Sequence, residues 1–235
     1  MNEDLDLAGL GKGRIEALSD GVFAIAMTLL VFNLKVPTFN TSPTNQEIWD
    51  KLVPMWHSFS TYIIAFISLG IYWIGHHNVF ASIRRSDRVI LWFNICFLLF
   101  VAFLPFTTTI FSEAPNNQVT TTLFGLNLFV IGIFLYWIWR YASTHDGFVP
   151  LALESDFRSQ VNRRILITPA MSLVGVVAAF WSPVISTIVY FSMIPLFIIV
   201  PSQLDKTYAI ARKESAKVEA EQLALKRQTA RWTDI

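Results

Sequence analysis

Ionisable and polar residues that border long apolar runs are the first candidates for function in this chain. Arg14, Ser19 and Asp20 introduce one such run near the N-terminus, and His76 and His77 close a second. Charged and polar groups at membrane depth are costly, so they are functional candidates by default. A histidine that donates to a carboxylate on another helix would satisfy both groups. The pattern therefore indicates a polar network between two helices.

Two adjacent histidines also permit a proton relay, a pH sensor or half of a metal site. Neighbouring residues on a helix diverge by about 100°, so His76 and His77 do not readily chelate one ion. The sequence shows no Cys/His metal spacing and no serine nucleophile elbow. An intramembrane enzyme would need a base and a nucleophile at one depth, and the only acids in or beside the apolar runs are Asp20 and Glu113. We therefore expect no enzyme, no resident metal and no cofactor.

The composition excludes an ordinary soluble protein. The chain has 235 residues, of which 54% are hydrophobic and 15% charged. A soluble domain usually carries roughly 25% charged residues. The 18 basic and 17 acidic residues leave a net charge of +1, too small for the strong basic field of a nucleic-acid binder. The sequence predicts an integral membrane protein that is surrounded by the lipid bilayer and binds no nucleic acid.

Six apolar runs are long enough to cross a bilayer as helices, since a crossing takes about 20 residues. None of the runs alternates as a barrel strand would. The predicted fold is an all-α membrane protein with six transmembrane helices: Leu18–Val36, Leu52–Ile74, Val89–Phe111, Thr120–Trp139, Ile165–Trp181 and Val184–Val200. Only Ser182 and Pro183 separate the last two, which predicts a tight helical hairpin.

The chain divides into a transmembrane domain over 1–201 and a tail over 202–235. The tail is rich in Ala, Lys, Glu and Gln, which predicts a helix over about 203–232. The two terminal segments and the connections on one side of the predicted bundle hold every basic residue except Lys35 and Lys51. By the positive-inside rule, both termini are cytoplasmic in a multi-pass protein of the cell membrane.

The first apolar run carries an uncharged stripe. Gly21, Ile25, Thr28 and Phe32 fall within roughly 60° of one another on an α-helix, with Leu29 at the shoulder. Asp20 points well away from this stripe. The helix is therefore suited to line an axis while Ser19 and Asp20 pin it to a neighbour. Periodicity is equally consistent with an ordinary packing face that lines no pore. A lone threonine on such a face often bonds its own backbone.

Two motifs in these runs resemble a known family. Arg14-x-x-x-Leu18-Ser19-Asp20-Gly-Val-Phe-Ala-Ile25-Ala-x-Thr28-Leu29-Leu is similar to the first-helix signature of the transmembrane protein 175 family of potassium channels. Trp73-x-x-His76-His77-x-x-Phe80 resembles the second helix of that family. The usual first motif has Phe where this chain has Leu18. Six spans with cytoplasmic termini fit one family repeat.

The resemblance implies a potassium channel whose pore is lined by the first helices at the axis of a homotetramer. It implies a single-repeat member of bacterial source, with Ile25, Leu29 and Phe32 at the constriction. The family more often has an aliphatic residue at the position of Phe32. Thr28 corresponds to a threonine implicated in selectivity. The permeant monovalent cation, K⁺, would pass Ile25 and Thr28 transiently.

The resemblance also assigns a structural network at the cytoplasmic end of the helices. Its members are Arg14, Ser19 and Asp20, with His77 and Asn78 as partners.

The sequence lacks the loop from which conventional potassium channels build a filter of carbonyl oxygens, since no Thr-Val-Gly-Tyr-Gly run occurs. We therefore expect a leak-type channel that selects at a hydrophobic constriction, where partial dehydration favours K⁺ over Na⁺. The alternative is a proton-coupled secondary transporter or proton pathway that uses Asp20 with His76 or His77. Transporter sites usually lie at the midplane between inverted repeats, and the sequence shows none.

Overall fold

A computed structural model of the chain describes residues 12–39, 41–83, 86–145, 149 and 155–199, and all of the secondary structure in these ranges is helical. Seven α-helices follow in chain order: α1 Lys12–Leu29, α2 Asn45–Leu52, α3 Trp56–Ser82, α4 Arg88–Glu113, α5 Gln118–Thr144, α6 Ser155–Ala179 and α7 Pro183–Ile199. Short 3₁₀ turns continue α1 over Leu30–Asn33 and link α2 to α3 over Val53–Met55. The predicted helical tail over 203–232 lies outside the described residues.

The predicted six-helix membrane fold is confirmed. The helical segments Lys12–Asn33, Asn45–Ser82, Arg88–Glu113, Gln118–Thr144 and Arg158–Ala179 are long and apolar enough to cross a bilayer, and Pro183–Phe197 is a shorter apolar helix. The second helix differs from its predicted bounds, because α3 continues to Ser82 instead of ending at Ile74. The polar residues that close the second apolar run are therefore held on a helix.

Side chains cap the helices where the sequence supplies a suitable acceptor. The Asp87 carboxylate accepts from the backbone N–H of Ile90 at 2.9 Å and starts α4. The amide oxygen of Asn117 accepts from the N–H of Val119 at 2.9 Å and starts α5. Such caps satisfy N–H groups that the helix itself leaves unpaired.

The long helices form one bundle around an apolar core. α1 packs against α3 and α4, α5 lies between α4 and α6, and α7 contacts α6 and α3. Glycine permits a close approach of α5 to α6, because a Cβ on Gly132 would lie 2.7 Å from the Pro169 ring. The predicted α6–α7 hairpin is confirmed. Its turn is closed by Ser182, whose N–H donates to the Ala178 carbonyl at 2.9 Å.

Candidate functional site

One face of α1 is buried against α3 and α4. Its members recur every three or four residues and are Ile15, Ser19, Phe23, Ala26 and Leu30. This spacing is that of a single helical face. The rest of the bundle thereby fixes the rotation of α1 about its own axis.

The opposite face of α1 is exposed and holds the predicted pore residues. Ile25 is 61% exposed, Leu29 44% and Phe32 77%. Gly21 and Thr28 are exposed on the same side. Three bulky apolar side chains, a hydroxyl and a glycine thus share one surface that no other part of the described bundle covers.

Phe32 does not occupy the angle that α-helical periodicity predicts. It lies in the 3₁₀ turn Leu30–Asn33, where each residue advances by about 120° instead of 100°. Three such steps rotate Phe32 by roughly 60° from its predicted position, toward the side of Leu29. The Asn33 side chain anchors the turn, because its Oδ1 accepts from the Thr109 hydroxyl of α4 at 2.5 Å.

Thr28 bonds its own helix. Its hydroxyl lies 2.9 Å from the carbonyl oxygen of Ala24 and 2.8 Å from that of Ile25, and it donates its one proton to this pair. A hydroxyl has one donor and two acceptor lone pairs. With the donor turned into the helix, the Thr28 oxygen presents acceptor capacity to the exposed face.

A buried hydrogen-bond network joins α1, α3 and α4. The Ser19 hydroxyl donates to the Ile15 carbonyl at 2.9 Å and accepts from Asn94 Nδ2 at 3.1 Å. Asn94 Oδ1 lies 2.9 Å from His76 Nε2. An amide oxygen only accepts, so this contact assigns the proton to Nε2 of His76.

The histidine in the Ser19 network is therefore His76, whereas the resemblance pointed to His77. His76 is 2% exposed and stacks on Phe80 and Phe97, with ring centroids 4.3 Å and 5.3 Å away. His77 points elsewhere because successive residues on α3 diverge by about 100°.

Asn94 is the member of the network that sequence reasoning missed. It is fully buried in α4. The sequence does contain a signal for it, since Asn94 is a lone amide inside the third apolar run. A polar group there is costly unless it is paired, which indicates a partner on another helix.

Asp20 belongs to a separate, exposed contact. Its carboxylate accepts from the indole N–H of Trp73 at 2.8 Å, and the Trp73 ring stacks on His77 at 6.0 Å between centroids. Arg14 is exposed near the start of α1, and Asn78 is half-buried on α3. Of the predicted bracing residues, Ser19 thus belongs to the buried network and Asp20 to the exposed contact, whereas Asn78 lies apart from both, beside Leu135 of α5 and Ile165 of α6.

Trp73 changes the chemistry available to Asp20. An indole N–H is a donor only and does not pass a proton onward. Among the described residues, no three His, Cys, Asp or Glu side chains are grouped as metal ligands. These contacts hold α1 against α3 and α4 and have the geometry of structural hydrogen bonds between helices.

The chain resembles channels over most of its length. A family model described as endosomal/lysosomal potassium channel TMEM175 matches residues 14–105, which include both motifs. A potassium channel of Chamaesiphon minutus is 31% identical over 173 residues, which cover 72% of this chain and 85% of the relative. A potassium channel of a Chryseobacterium strain is 27% identical over 199 residues, which cover 83% of this chain and 97% of the relative.

Animal relatives match over a smaller share of their length. The rat endosomal/lysosomal proton channel TMEM175 is 32% identical over 150 residues, and this chain spans 30% of it.

Solved structures agree with the sequence comparisons. The crystal structure of a lysosomal potassium-selective channel TMEM175 homologue from Chamaesiphon minutus superposes with a TM-score of 0.70 and 28% identity. The superposition covers 80% of this chain and 96% of that one. The potassium channel MtTMEM175 matches at a TM-score of 0.54 and 18% identity, a likeness of fold. These relatives are channels and not enzymes, and the chain belongs to the TMEM175 family of potassium channels.

Proposed function

We propose that four copies of this chain form a potassium-selective leak channel, with the exposed face of α1 lining the pore at the axis of the homotetramer. The observation that carries the proposal is the burial pattern of α1. Ser19 and its neighbours hold one face inside the bundle, while Ile25 and Thr28 stand exposed on the other. Small residues such as Gly21 and Thr28 are enriched where membrane helices approach one another closely. An axis between copies of the chain accounts for both.

The proposed constriction is hydrophobic. Rings of Ile25, Leu29 and Phe32 from four subunits form an apolar passage that opposes wetting, which is an established way to gate a pore. An ion that crosses the passage gives up part of its hydration shell. K⁺ holds water less tightly than Na⁺, so the barrier is lower for K⁺.

Thr28 is the proposed selectivity residue. Its oxygen lies one turn from Ile25, and its proton is engaged by the α1 backbone. A ring of four such oxygens offers partial compensation to a dehydrated cation. This arrangement replaces a filter of backbone carbonyls, for which the sequence has no Thr-Val-Gly-Tyr-Gly run. The transient K⁺ near Ile25 and Thr28 is the only ion that the mechanism requires.

The proposed orientation places both termini in the cytoplasm. All basic residues other than Lys35 and Lys51 belong to segments at one end of the predicted bundle. We refer to this end, where α1, α4 and α6 begin, as the basic end. The positive-inside rule assigns it to the cytoplasmic side of the cell membrane.

The test is a K⁺ and Na⁺ flux assay on purified protein in liposomes, with the mass of the assembly measured in detergent. We expect a tetramer with K⁺-selective flux. Ile25→Asn introduces a polar ring that wets the constriction, so K⁺ flux rises and the K⁺/Na⁺ ratio falls. Ile188→Asn is the matched control on α7, because Ile188 is 62% exposed and Ile25 61%. An unchanged ratio and rate in Ile25→Asn, or equal changes in both variants, would overturn the proposal.

Proton conduction is the second candidate function, favoured by the proton channels among the animal relatives and by a titratable side chain, His76, in the buried network beside α1. A relay through Asp20 is disfavoured, because its partner is the indole of Trp73. The same liposomes, loaded with a pH-sensitive dye, distinguish the two functions. Acidification driven by a proton gradient, abolished in His76→Phe and accompanied by no K⁺ flux, would favour proton conduction.

A further inference from the structure

Two opposite charges meet just beyond the exposed face of α1. Lys35 follows Phe32, the last of the predicted pore residues, by three positions. Its ammonium forms an ion pair with the carboxylate of Glu113, the last residue of α4. The two side chains are 76% and 56% exposed, so both charges lie at the surface of the bundle and not in its core. We refer to this end of the bundle, where α1 and α4 end, as the outer end.

A neighbouring contact fixes the position of this ion pair. Thr109 lies one turn before Glu113 on α4, and its hydroxyl donates to Asn33 Oδ1 at 2.5 Å. Asn33 and Lys35 are therefore both tied to the same side of α4. The chain is held at two successive points directly after Phe32, so the ion pair stays next to the end of the exposed face.

A second ion pair at the outer end lies on α2. Lys51 and Glu47 are 3.2 Å apart on successive turns of this helix, and their side chains are only 36% and 25% exposed. α2 packs mainly on the 3₁₀ turn Val53–Met55, which separates it from α3. The same two types of charge therefore occur twice at this end, once beside the end of α1 and once on α2.

The ion pair of Lys35 with Glu113 contributes little to folding, because water and salt screen an exposed pair. Its charges nevertheless act on mobile ions over about one Debye length, roughly 30 Å at 0.01 M salt and 3 Å at 1 M. An α-helix with its side chains is about 10 Å wide. At low ionic strength, charges beside the end of α1 therefore reach an axis that α1 lines.

We propose that Lys35 and Glu113 of four subunits form a ring of ion pairs around the outer mouth of the pore and set the rate at which K⁺ enters. The proposal rests on the proposed function, which places the exposed face of α1 at the axis of the tetramer. Carboxylates at a mouth concentrate cations, and ammonium groups repel them. Because each Glu113 is paired with a Lys35, the ring is nearly neutral. Lys35 thereby limits the attraction of Glu113 for cations.

The test is the initial rate of K⁺ flux into liposomes that contain the full-length protein, normalised to the amount of tetramer. K⁺ is kept at about 10 mM, and the ionic strength is raised to about 1 M with the large cation N-methylglucamine. At low ionic strength we expect Lys35→Gln to raise the flux about threefold and Glu113→Gln to lower it about threefold. At high ionic strength both effects should nearly vanish, because the charges are screened.

Lys51→Gln and Glu47→Gln are the matched controls, since they remove the same charges from α2. We expect each to change the flux much less than its counterpart beside α1. The mass of every variant in detergent shows whether the tetramer forms. If either variant of the first ion pair does not assemble, Lys35→Glu carries the test. It changes the charge twice as much as Lys35→Gln, so the flux at low ionic strength should rise about ninefold.

Three outcomes would overturn the ring of ion pairs. The first is a change of the same direction in Lys35→Gln and Glu113→Gln, which would indicate a merely structural role. The others are equal changes in the α2 controls and changes that persist at high ionic strength.

Wild-type flux and the Ile25→Asn variant separate this proposal from the proposed function. K⁺-selective flux that Ile25→Asn alters, together with charge variants that match the α2 controls, would overturn the ring of ion pairs alone. A wild type that passes no K⁺ would overturn the channel function and the ring with it.

Discussion

The side chain of Asn94 bridges His76 and Ser19, with its Oδ1 2.9 Å from His76 Nε2 and its Nδ2 3.1 Å from Ser19 Oγ. One amide therefore connects α3 and α1 through α4. The bridge lies on the buried side of α1, opposite Ile25 and Thr28. It fixes the rotation of the helix that presents these two residues.

Removal of the bridge should cost stability. Asn94→Leu leaves the buried Ser19 and His76 without their shared partner, at about 1–3 kcal/mol for each unpaired group. We expect a lower temperature of thermal unfolding in detergent.

Asn127→Leu is the matched control for Asn94→Leu. Asn127 is also buried on a helix, but it makes one 3.3 Å bond to Thr107, and its Oδ1 has no hydrogen-bond partner. Asn127→Leu should lower the temperature of thermal unfolding less than Asn94→Leu does. An equal or larger decrease in Asn127→Leu would show that the Asn94 bridge adds no more stability than an ordinary buried amide.

The contact between Asp20 and Trp73 should support assembly more than selectivity. Asp20→Asn weakens a charge-assisted hydrogen bond that lies off the face proposed to line the pore, and Trp73→Phe removes the donor while it keeps a ring beside His77. A double-mutant cycle on thermal stability should give a coupling of about 1 kcal/mol. The K⁺/Na⁺ ratio should stay close to that of the wild type. An Asp20→Asn tetramer of normal stability that has lost selectivity would contradict this role.

Replacement of Thr28 by valine should reduce selectivity without loss of fold. Valine has a similar shape but lacks the oxygen that faces the exposed side of α1. We expect the K⁺/Na⁺ flux ratio to fall roughly fivefold, equivalent to about 1 kcal/mol for one lost polar interaction.

Thr187→Val is the control for Thr28→Val. The Thr187 hydroxyl also bonds its own helix, donating to the Pro183 carbonyl at 2.9 Å, but it lies on α7. A ratio that is unchanged in Thr28→Val, or reduced equally in Thr187→Val, would exclude Thr28 from selection.

Close packing of α5 against α6 should make Gly132 intolerant of a side chain. A Cβ at this position would lie 2.7–2.8 Å from three atoms of the Pro169 ring, which is too rigid to yield. We expect Gly132→Ala to destabilise the protein by about 1–3 kcal/mol, as overpacking does.

The control for Gly132→Ala is Gly70→Ala, because a Cβ on Gly70 would have no neighbour within 4 Å. Alanine there should stabilise α3 by up to about 1 kcal/mol through helix propensity. The two thermal shifts should therefore have opposite signs, and shifts of the same sign would contradict the packing argument.

Most of the fold could be predicted from the sequence, because membrane helices are recognised by the length and apolarity of their runs. Six apolar runs gave six helices, and Ser182 and Pro183 marked the hairpin. Helix ends were predicted less well. α3 extends past Ile74 to Ser82, since the backbone of a polar segment can stay helical beyond the apolar run.

The sequence by itself determined the residues that share the exposed face of α1, because periodicity is a property of one helix and needs no neighbour. It also identified Ser19 and Asp20 as the residues that pin α1 to the bundle. Which partners they contact was decided only by the tertiary structure. The choice of His76 over His77, the bridge through Asn94 and the pairing of Asp20 with Trp73 depend on the depth and rotation of separate helices. The displacement of Phe32 depends on a 3₁₀ turn anchored by Thr109 of α4. These quantities are set by lateral packing, which no single-helix pattern encodes.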